Sequence, residues 1–162
     1  MDEKVYLLFQ YNHDTKITNE RKLPSGCKLI KFTPTLKDIL RKKVSFTEYF
    51  WYIITAHNYV LYCVMNDKNE VIHKSTRIGK CYKFNFLKKN EYEIGPCYTS
   101  ESFRGKGIYP FVLNQIISDN PNANYYMFID EKNFSSIRGV EKAGFMLIGQ
   151  IKRCSKGIWK RI

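Results

Sequence analysis

A short glycine-containing segment, residues 100–108, has the residue types of an anion-binding loop and lies between a predicted strand and a predicted helix. Gly105 and Gly107 allow the backbone to turn its N–H groups toward one point, which the positive end of the following helix also faces. Arg104 and Lys106 add formal charge. The spacing is neither that of a Walker loop nor the GxGxxG of a dinucleotide site. The segment therefore predicts a phosphate cradle of another kind.

A second motif follows the cradle. Asn133-Phe-Ser-Ser136 precedes Glu141-Lys-Ala-Gly-Phe145. With the Arg-Gly-Lys-Gly-Ile turn, these segments resemble the [Q/R]xxGx[G/A] and NxxS…EKxGF motifs of the GCN5-related N-acetyltransferase (GNAT) superfamily over residues 91–151. Residues 94–99 and 103–110 also show a fainter similarity to acetyltransferases of bacterial surface-polysaccharide assembly. The resemblance implies an α/β (α+β) fold, whose mixed, mostly antiparallel central sheet has six to seven strands, flanking helices and splayed central strands.

The resemblance also implies acetyl-CoA as the cofactor. Backbone N–H groups from Arg104 to Ile108 are expected to hold its pyrophosphate, and Asn133 is expected to contact its pantetheine arm. Gly95-Pro96 is expected to interrupt strand pairing, because proline cannot donate to a ladder and glycine favours a bulge. The freed N–H of Cys97 or Tyr98 would then polarise the thioester carbonyl. The expected cofactor-binding residues are Cys97, Tyr98, Thr99, Arg104, Gly105, Lys106, Gly107, Ile108, Asn133 and Ser136.

Transfer of an acetyl group to an amine requires a group that removes a proton from the ammonium. Glu93 lies at the offset from Arg104 at which the histone-acetylating branch of the superfamily places its catalytic glutamate. Glu91 is on the same strand face, and a register shift of two residues would exchange the two. His73 on the neighbouring strand is the rival base. Water is a further alternative, and no metal site is expected.

Three positions depart from the superfamily pattern. Tyr109 replaces a small residue at the end of the cradle motif, and Pro110 removes one N–H donor. Val140 stands where the superfamily commonly has the tyrosine that protonates the departing thiolate. Tyr98, Tyr126 or solvent are the candidates to replace it, and Tyr98 is therefore a predicted catalytic residue together with Glu93 and His73.

Hydrophobic periodicity and turn residues predict the elements that position these groups. Ser45 followed by Glu48 predicts a capping box at the start of the second helix. The predicted strands cover residues 5–9, 28–32, 59–65, 71–78, 92–99, 125–129, 145–151 and 157–161. The predicted helices cover residues 35–43, 45–56, 109–118 and 133–142. No linker divides the chain, which predicts a single acetyltransferase domain over residues 1–162.

Charge indicates the class of acceptor. The chain of 162 residues has a net charge of +12. Residues 1–90 hold 17 basic and 8 acidic residues, whereas residues 91–162 hold 10 and 7. The resemblance assigns the acceptor site to the first half and the acetyl-CoA-binding core to residues 91–151. A small anionic acceptor with a primary amine, such as a nucleotide-linked amino sugar, is therefore expected, with Phe50, Trp51 and Tyr52 packing against a sugar or base.

Other functions are compatible with the same sequence. A protein, peptide or polyamine N-acetyltransferase would share the cofactor, and a non-catalytic acyl-CoA-binding module would share only the fold. We expect no nucleic-acid partner, because the basic clusters are not interleaved with stacking aromatics. Short apolar runs and an acidic N-terminal segment predict a cytoplasmic protein without a membrane span. A homodimer is left open.

Overall fold

The computed structural model describes residues 4–14, 21–40, 45–154 and 157–162. The strands are β1 (Val5–Tyr11), β2 (Lys28–Phe32), β3 (Tyr59–Met65), β4 (Val71–Ile78), β5 (Glu91–Ile94), β6 (Tyr98–Thr99), β7 (Asn124–Ile129), β8 (Phe145–Arg153) and β9 (Trp159–Arg161). The helices are α1 (Leu36–Leu40), α2 (Phe46–Ile54), α3 (Ile108–Asp119) and α4 (Phe134–Lys142). Residues 41–43 of the first predicted helix lie outside the described residues.

The strands form one sheet in the order β2-β3-β4-β5-β7-β1-β8-β9, and β6 pairs with the free part of β4. All pairs are antiparallel except β5 with β7, which is parallel. The described residues thus form nine strands instead of six to seven, partly because the strand predicted over residues 92–99 is divided into β5 and β6. The mixed, mostly antiparallel sheet that the motifs predicted is confirmed.

Hydrophobic packing covers both faces of the sheet. Side chains of β3 alternate between the two faces, as a strand's period of two requires: Val60, Tyr62 and Val64 pack with α3 and α4, whereas Tyr59 and Leu61 pack with residues 81–87. All seven residues of β3 are buried except partly exposed Met65. The sheet centre is therefore a rigid support for the strand ends beside it.

Helix α2 begins as the sequence predicts. The Ser45 hydroxyl accepts a hydrogen bond from the Glu48 amide at 3.2 Å, and the Glu48 carboxylate accepts one from the Ser45 amide at 2.8 Å. The capping box is thus confirmed. Glu48 also forms an ion pair with Lys74 of β4, which ties the helix to the sheet. Within the described ranges, no helix is long and apolar enough to span a bilayer.

Candidate active site

The two central strands part in the middle of the sheet. β5 pairs with β7 from Glu91 to Glu93, where Glu93 lies opposite Tyr126. The chain then passes through a cis peptide bond between Gly95 and Pro96. Beyond it, β6 pairs with β4 and is not paired with β7 in the part of the chain that the structure describes. We call the gap between residues 95–99 and residues 127–129 the fork.

Glu93 lies at the base of the fork. Its side chain is only 6% exposed, and Oε2 has no hydrogen-bond partner among the described residues. A Cβ at Gly95 would collide with Oε1 of Glu93, so glycine is required there for the carboxyl to occupy this position. Burial raises the pKa of the Glu93 carboxyl well above its usual range. Burial therefore favours the neutral form of this carboxyl in the ligand-free protein.

Glu91 is used differently, although it lies on the same strand. Its Oε2 accepts a hydrogen bond from the Lys88 amide at 2.8 Å, and its Oε1 accepts one from the Tyr126 hydroxyl at 3.4 Å. Glu91 also lies at the start of β5, away from the parted strand ends. Of the two carboxyls, Glu93 is the one that faces the fork without a partner.

His73 is fully buried on β4. Nδ1 lies 2.7 Å from Oγ1 of Thr99, and Nε2 lies 2.8 Å from Oγ of Ser75. Burial lowers the pKa of His73 to about 4, so the ring is neutral at physiological pH. Both ring nitrogens are engaged within the protein, and the ring links β4 to β6. Tyr98, in contrast, is 60% exposed.

The loop predicted to bind an anion has open space at both of its glycines. Gly105 and Gly107 both have φ of +75°, in the left-handed region, and no atom lies within 4 Å of the Cβ position of either. Gly107 is the N-cap of α3. Backbone amides from Gly105 to Tyr109 donate to no backbone carbonyl of the described residues, whereas the Arg104 amide donates to Glu101. The donors open to an anion therefore begin at Gly105, one residue later than expected.

The side chains of the loop brace it. Arg104 Nε donates to the Thr99 carbonyl at 3.1 Å, which links the cradle to β6. Lys106 Nζ lies 4.6 Å from the centroid of the Phe103 ring. On the other side, Asn133 caps α4: its Oδ1 accepts a hydrogen bond from the Ser136 amide at 3.2 Å. Both Asn133 and Ser136 also line the cleft that opens from the fork, so capping and ligand contact are compatible at this position.

Tyr109 reaches into the fork from the first turn of α3. Its hydroxyl donates to Sδ of Met127 on β7 at 3.9 Å, and its side chain lines the same cleft as Cys97 on the opposite arm. Its ring lies over Gly139 of α4, where a Cβ would be 2.6 Å from Cδ1 of the ring. The large residue at position 109 is accommodated by the absence of a side chain at position 139. The sequence shows only an unexpected tyrosine, because nothing in it reveals which helix faces position 109.

The cleft lined by Glu93, Cys97, Tyr109, Asn133 and Ser136 has a volume of about 700 Å³. It extends from the fork to α2 and to the end of the β8–β9 hairpin. Of the three aromatic residues expected at the acceptor site, Trp51 lines it, whereas Phe50 is 45% exposed. Val140 is completely buried in the core and offers no polar group to the cleft.

No protein-family model matches the sequence, and no curated protein is significantly similar to it. Solved structures do match. A tandem GNAT protein from the clavulanic acid biosynthesis pathway, without acetyl-CoA, has a TM-score of 0.65 at 13% identity over 91% of this chain and 51% of that one. A GCN5-related N-acetyltransferase from Sphaerobacter thermophilus has a TM-score of 0.61 at 14% identity over 91% and 50%.

The aminoglycoside acetyltransferase AAC(6')-Ib, in complex with coenzyme A and kanamycin, has a TM-score of 0.54 at 14% identity over 82% of this chain and 92% of that one. The present chain spans about half the length of the first two proteins. At such identities the similarity establishes architecture. The chain therefore has the fold of the GCN5-related N-acetyltransferases, as its two motifs predicted.

Proposed function

We propose that this protein is an acetyl-CoA-dependent N-acetyltransferase that transfers the acetyl group directly to a primary amine of a small anionic acceptor, with a nucleotide-linked amino sugar as the best-matching class. The observation that carries the proposal is the buried Glu93 carboxyl, whose Oε2 has no hydrogen-bond partner among the described residues. It lies where two strands part, in a cleft that Tyr109 of the first turn of α3 also lines. Residues 91–151 would form the acetyl-CoA-binding core, and residues 1–90 would shape the acceptor site.

The chain's own groups fit acetyl-CoA. Open amides from Gly105 to Tyr109 at a helix N-terminus are donors for a diphosphate, and the space around Gly105 and Gly107 is free for it. Bound acetyl-CoA would supply the acetyl group as a thioester. The amide N–H of Cys97 or Tyr98, next to the interrupted strand, would donate to the carbonyl oxygen.

Glu93 is the proposed base. An acceptor arriving as an ammonium would place a positive charge beside the carboxyl, which favours ionised Glu93. The carboxylate then accepts a proton from the amine nitrogen and leaves the lone pair that attacks the carbonyl carbon. His73 is less suited to this step, because both of its ring nitrogens already have partners.

Cys97 argues for direct transfer. Burial raises the pKa of the Cys97 thiol to about 12, so the thiolate that an acyl-cysteine route needs is scarce near pH 7. The same surroundings would make any departing thiolate in the fork a strong base. A proton donor is therefore required near Cys97, and the Tyr109 hydroxyl, on a side chain that lines the same cleft as Cys97, is our candidate.

The Tyr109→Phe variant should have a kcat lower by roughly 100-fold, because general acid catalysis by a positioned side chain contributes on this order. Its ring still fills the space over Gly139, so acetyl-CoA affinity and thermal stability should be unchanged. Steady-state kinetics and calorimetry measure the two quantities. Tyr98→Phe is the comparison, because Tyr98 was the tyrosine predicted from the sequence. If kcat falls only in the Tyr98→Phe variant, the proton donor is Tyr98 and not Tyr109.

The function itself is tested by release of coenzyme A thiol. The purified protein is incubated with acetyl-CoA and with UDP- and dTDP-linked amino sugars, polyamines, aminoglycosides or lysine peptides. Release with amino-sugar nucleotides alone is the expected result. If coenzyme A is released only with peptides or polyamines, the acceptor is of that class instead. Tight acetyl-CoA binding without any release would indicate a binding module.

A further inference from the structure

The far end of the cleft is lined by aromatic rings. Trp159 of β9 packs edge-on against Tyr6 of β1, with ring centroids 5.1 Å apart, and against Phe128 of β7 at 4.9 Å. Trp51 of α2 lines the same cleft. Such rings present flat apolar faces to a planar or cyclic group. The acceptor end of the cleft is thus suited to a ring-containing molecule.

Two cations lie among these rings. Lys83 Nζ is 4.5 Å from the centroid of the Trp51 ring. The side chains of Arg153 and Lys83 both lie close to Gly157. A Cβ atom built on Gly157 would be 3.7 Å from Nη2 of Arg153 and 3.7 Å from Cε of Lys83. The approach is held by the backbone, because the Trp159 amide donates to the Lys83 carbonyl at 3.0 Å.

Neither cation is neutralised within the described residues. Of the carboxylates that line the cleft, Glu48 is paired with Lys74, and Asp130 is paired with Lys4 at 2.8 Å. Glu93 is buried beside the parted strands and forms no ion pair among the described residues. Lys83 and Arg153 form no ion pair with any carboxylate of the described residues. Two adjacent positive charges therefore face the cleft without compensation.

From this arrangement we infer that Lys83 and Arg153 form an anion subsite that binds a phosphate or diphosphate group of the acceptor, while Trp51 and Trp159 contact its ring. The inference rests on the proposed function and makes its acceptor class specific: a phosphorylated amine whose amino group reaches Glu93. A dianionic phosphate matches two cations, since a guanidinium offers a fork of donors and an ammonium offers a point charge.

The chain contains two tryptophans, and both line this cleft, so intrinsic tryptophan fluorescence reports its occupancy. Uridine 5′-monophosphate is the probe, and uridine is its match without phosphate. Each is titrated with and without coenzyme A, which fills the cradle. The nucleotide should change the fluorescence saturably, and uridine should require at least about 10-fold higher concentration, equivalent to the loss of one charge-assisted contact.

The Lys83→Gln and Arg153→Gln variants should each raise the Kd for the nucleotide about 10-fold and leave that for uridine unchanged. Lys89→Gln is the matched control, because Lys89 is exposed and lies outside the cleft. Equal affinity for nucleotide and uridine, or an unchanged Kd in both variants, would overturn the anion subsite.

Failure of this inference is distinguishable from failure of the proposed function. If spermidine or kanamycin is acetylated and neither variant changes nucleotide affinity, the enzyme assignment holds and the anion subsite is wrong. If acetyl-CoA does not bind while the nucleotide still depends on Lys83 and Arg153, the subsite holds and the acetyltransferase assignment is wrong.

Discussion

Replacement of Gly107 by aspartate should weaken the binding of acetyl-CoA by more than about 100-fold. Gly107 has φ of +75° and open space around its Cβ position, at the N-terminus of α3. Aspartate tolerates the left-handed region better than most residues, so the fold should persist. Its carboxylate would lie in the cradle and repel a diphosphate, and like charges near a protein surface cost several kcal/mol at about 4 Å. Isothermal titration calorimetry measures the loss.

The Gly107→Asn variant separates charge from shape. Asparagine has nearly the same size and the same tolerance for positive φ, but it carries no charge. We expect it to retain most of the affinity that aspartate removes. If the two variants bind acetyl-CoA equally weakly, sterics explain the effect and the cradle is not an anion site. Unchanged affinity in the aspartate variant would contradict a cofactor diphosphate at Gly107.

The Glu93→Gln variant should lose roughly 100-fold or more in kcat near pH 7, because the amide cannot accept the proton of the acceptor ammonium. The deficit should shrink toward pH 9, where more of the amine is already deprotonated. A kcat profile of both proteins from pH 6 to about 9.5 measures it. Glu91→Gln is the matched variant, with its carboxyl already bonded to the Lys88 amide and Tyr126. A uniform loss at every pH, or a larger loss in Glu91→Gln, would contradict the base role.

The Glu93→Gln substitution should increase the stability of the fold, although it lowers activity. Burial raises the pKa of the Glu93 carboxyl, so between the unfolded pKa and the raised folded pKa the folded protein binds more protons than the unfolded chain. The free energy of unfolding therefore falls as pH rises through that window. Glutamine imitates the neutral carboxyl and has no proton to lose, so the variant should become more stable than the wild type above the window. Urea denaturation at acidic and alkaline pH measures this.

The sequence predicted those elements whose ends are determined by residues nearby in the chain. The β3–β4 hairpin follows from its alternating pattern and the turn at residues 66–69, and both strands have the predicted bounds. Asn133 caps α4, and Gly144 follows the helix with φ of +88°. The parting of the strands was also predicted, because glycine followed by proline disfavours pairing at that point.

Long-range contacts were not predictable in this way. Lys83 lies in a loop and Arg153 near the chain's end, and only the folded sheet brings them to Gly157. The position of Tyr109 likewise depends on the packing of α3 against α4, which no spacing in the sequence encodes. Burial shifts the pKa values of Glu93 and His73, and burial is a property of the fold. The motifs thus indicated candidate cofactor-binding residues, and the structure showed which charges and rings surround the cleft beside them.

The fit of Tyr109 over Gly139 places a joint constraint on evolution at two helices. A methyl group at position 139 is tolerable only if the ring moves or is replaced, because ring carbons would occupy the same volume. Substitutions at these two sites should therefore be epistatic: among descendants of this chain, a change that removes or displaces the ring at position 109 should precede the gain of a side chain at position 139.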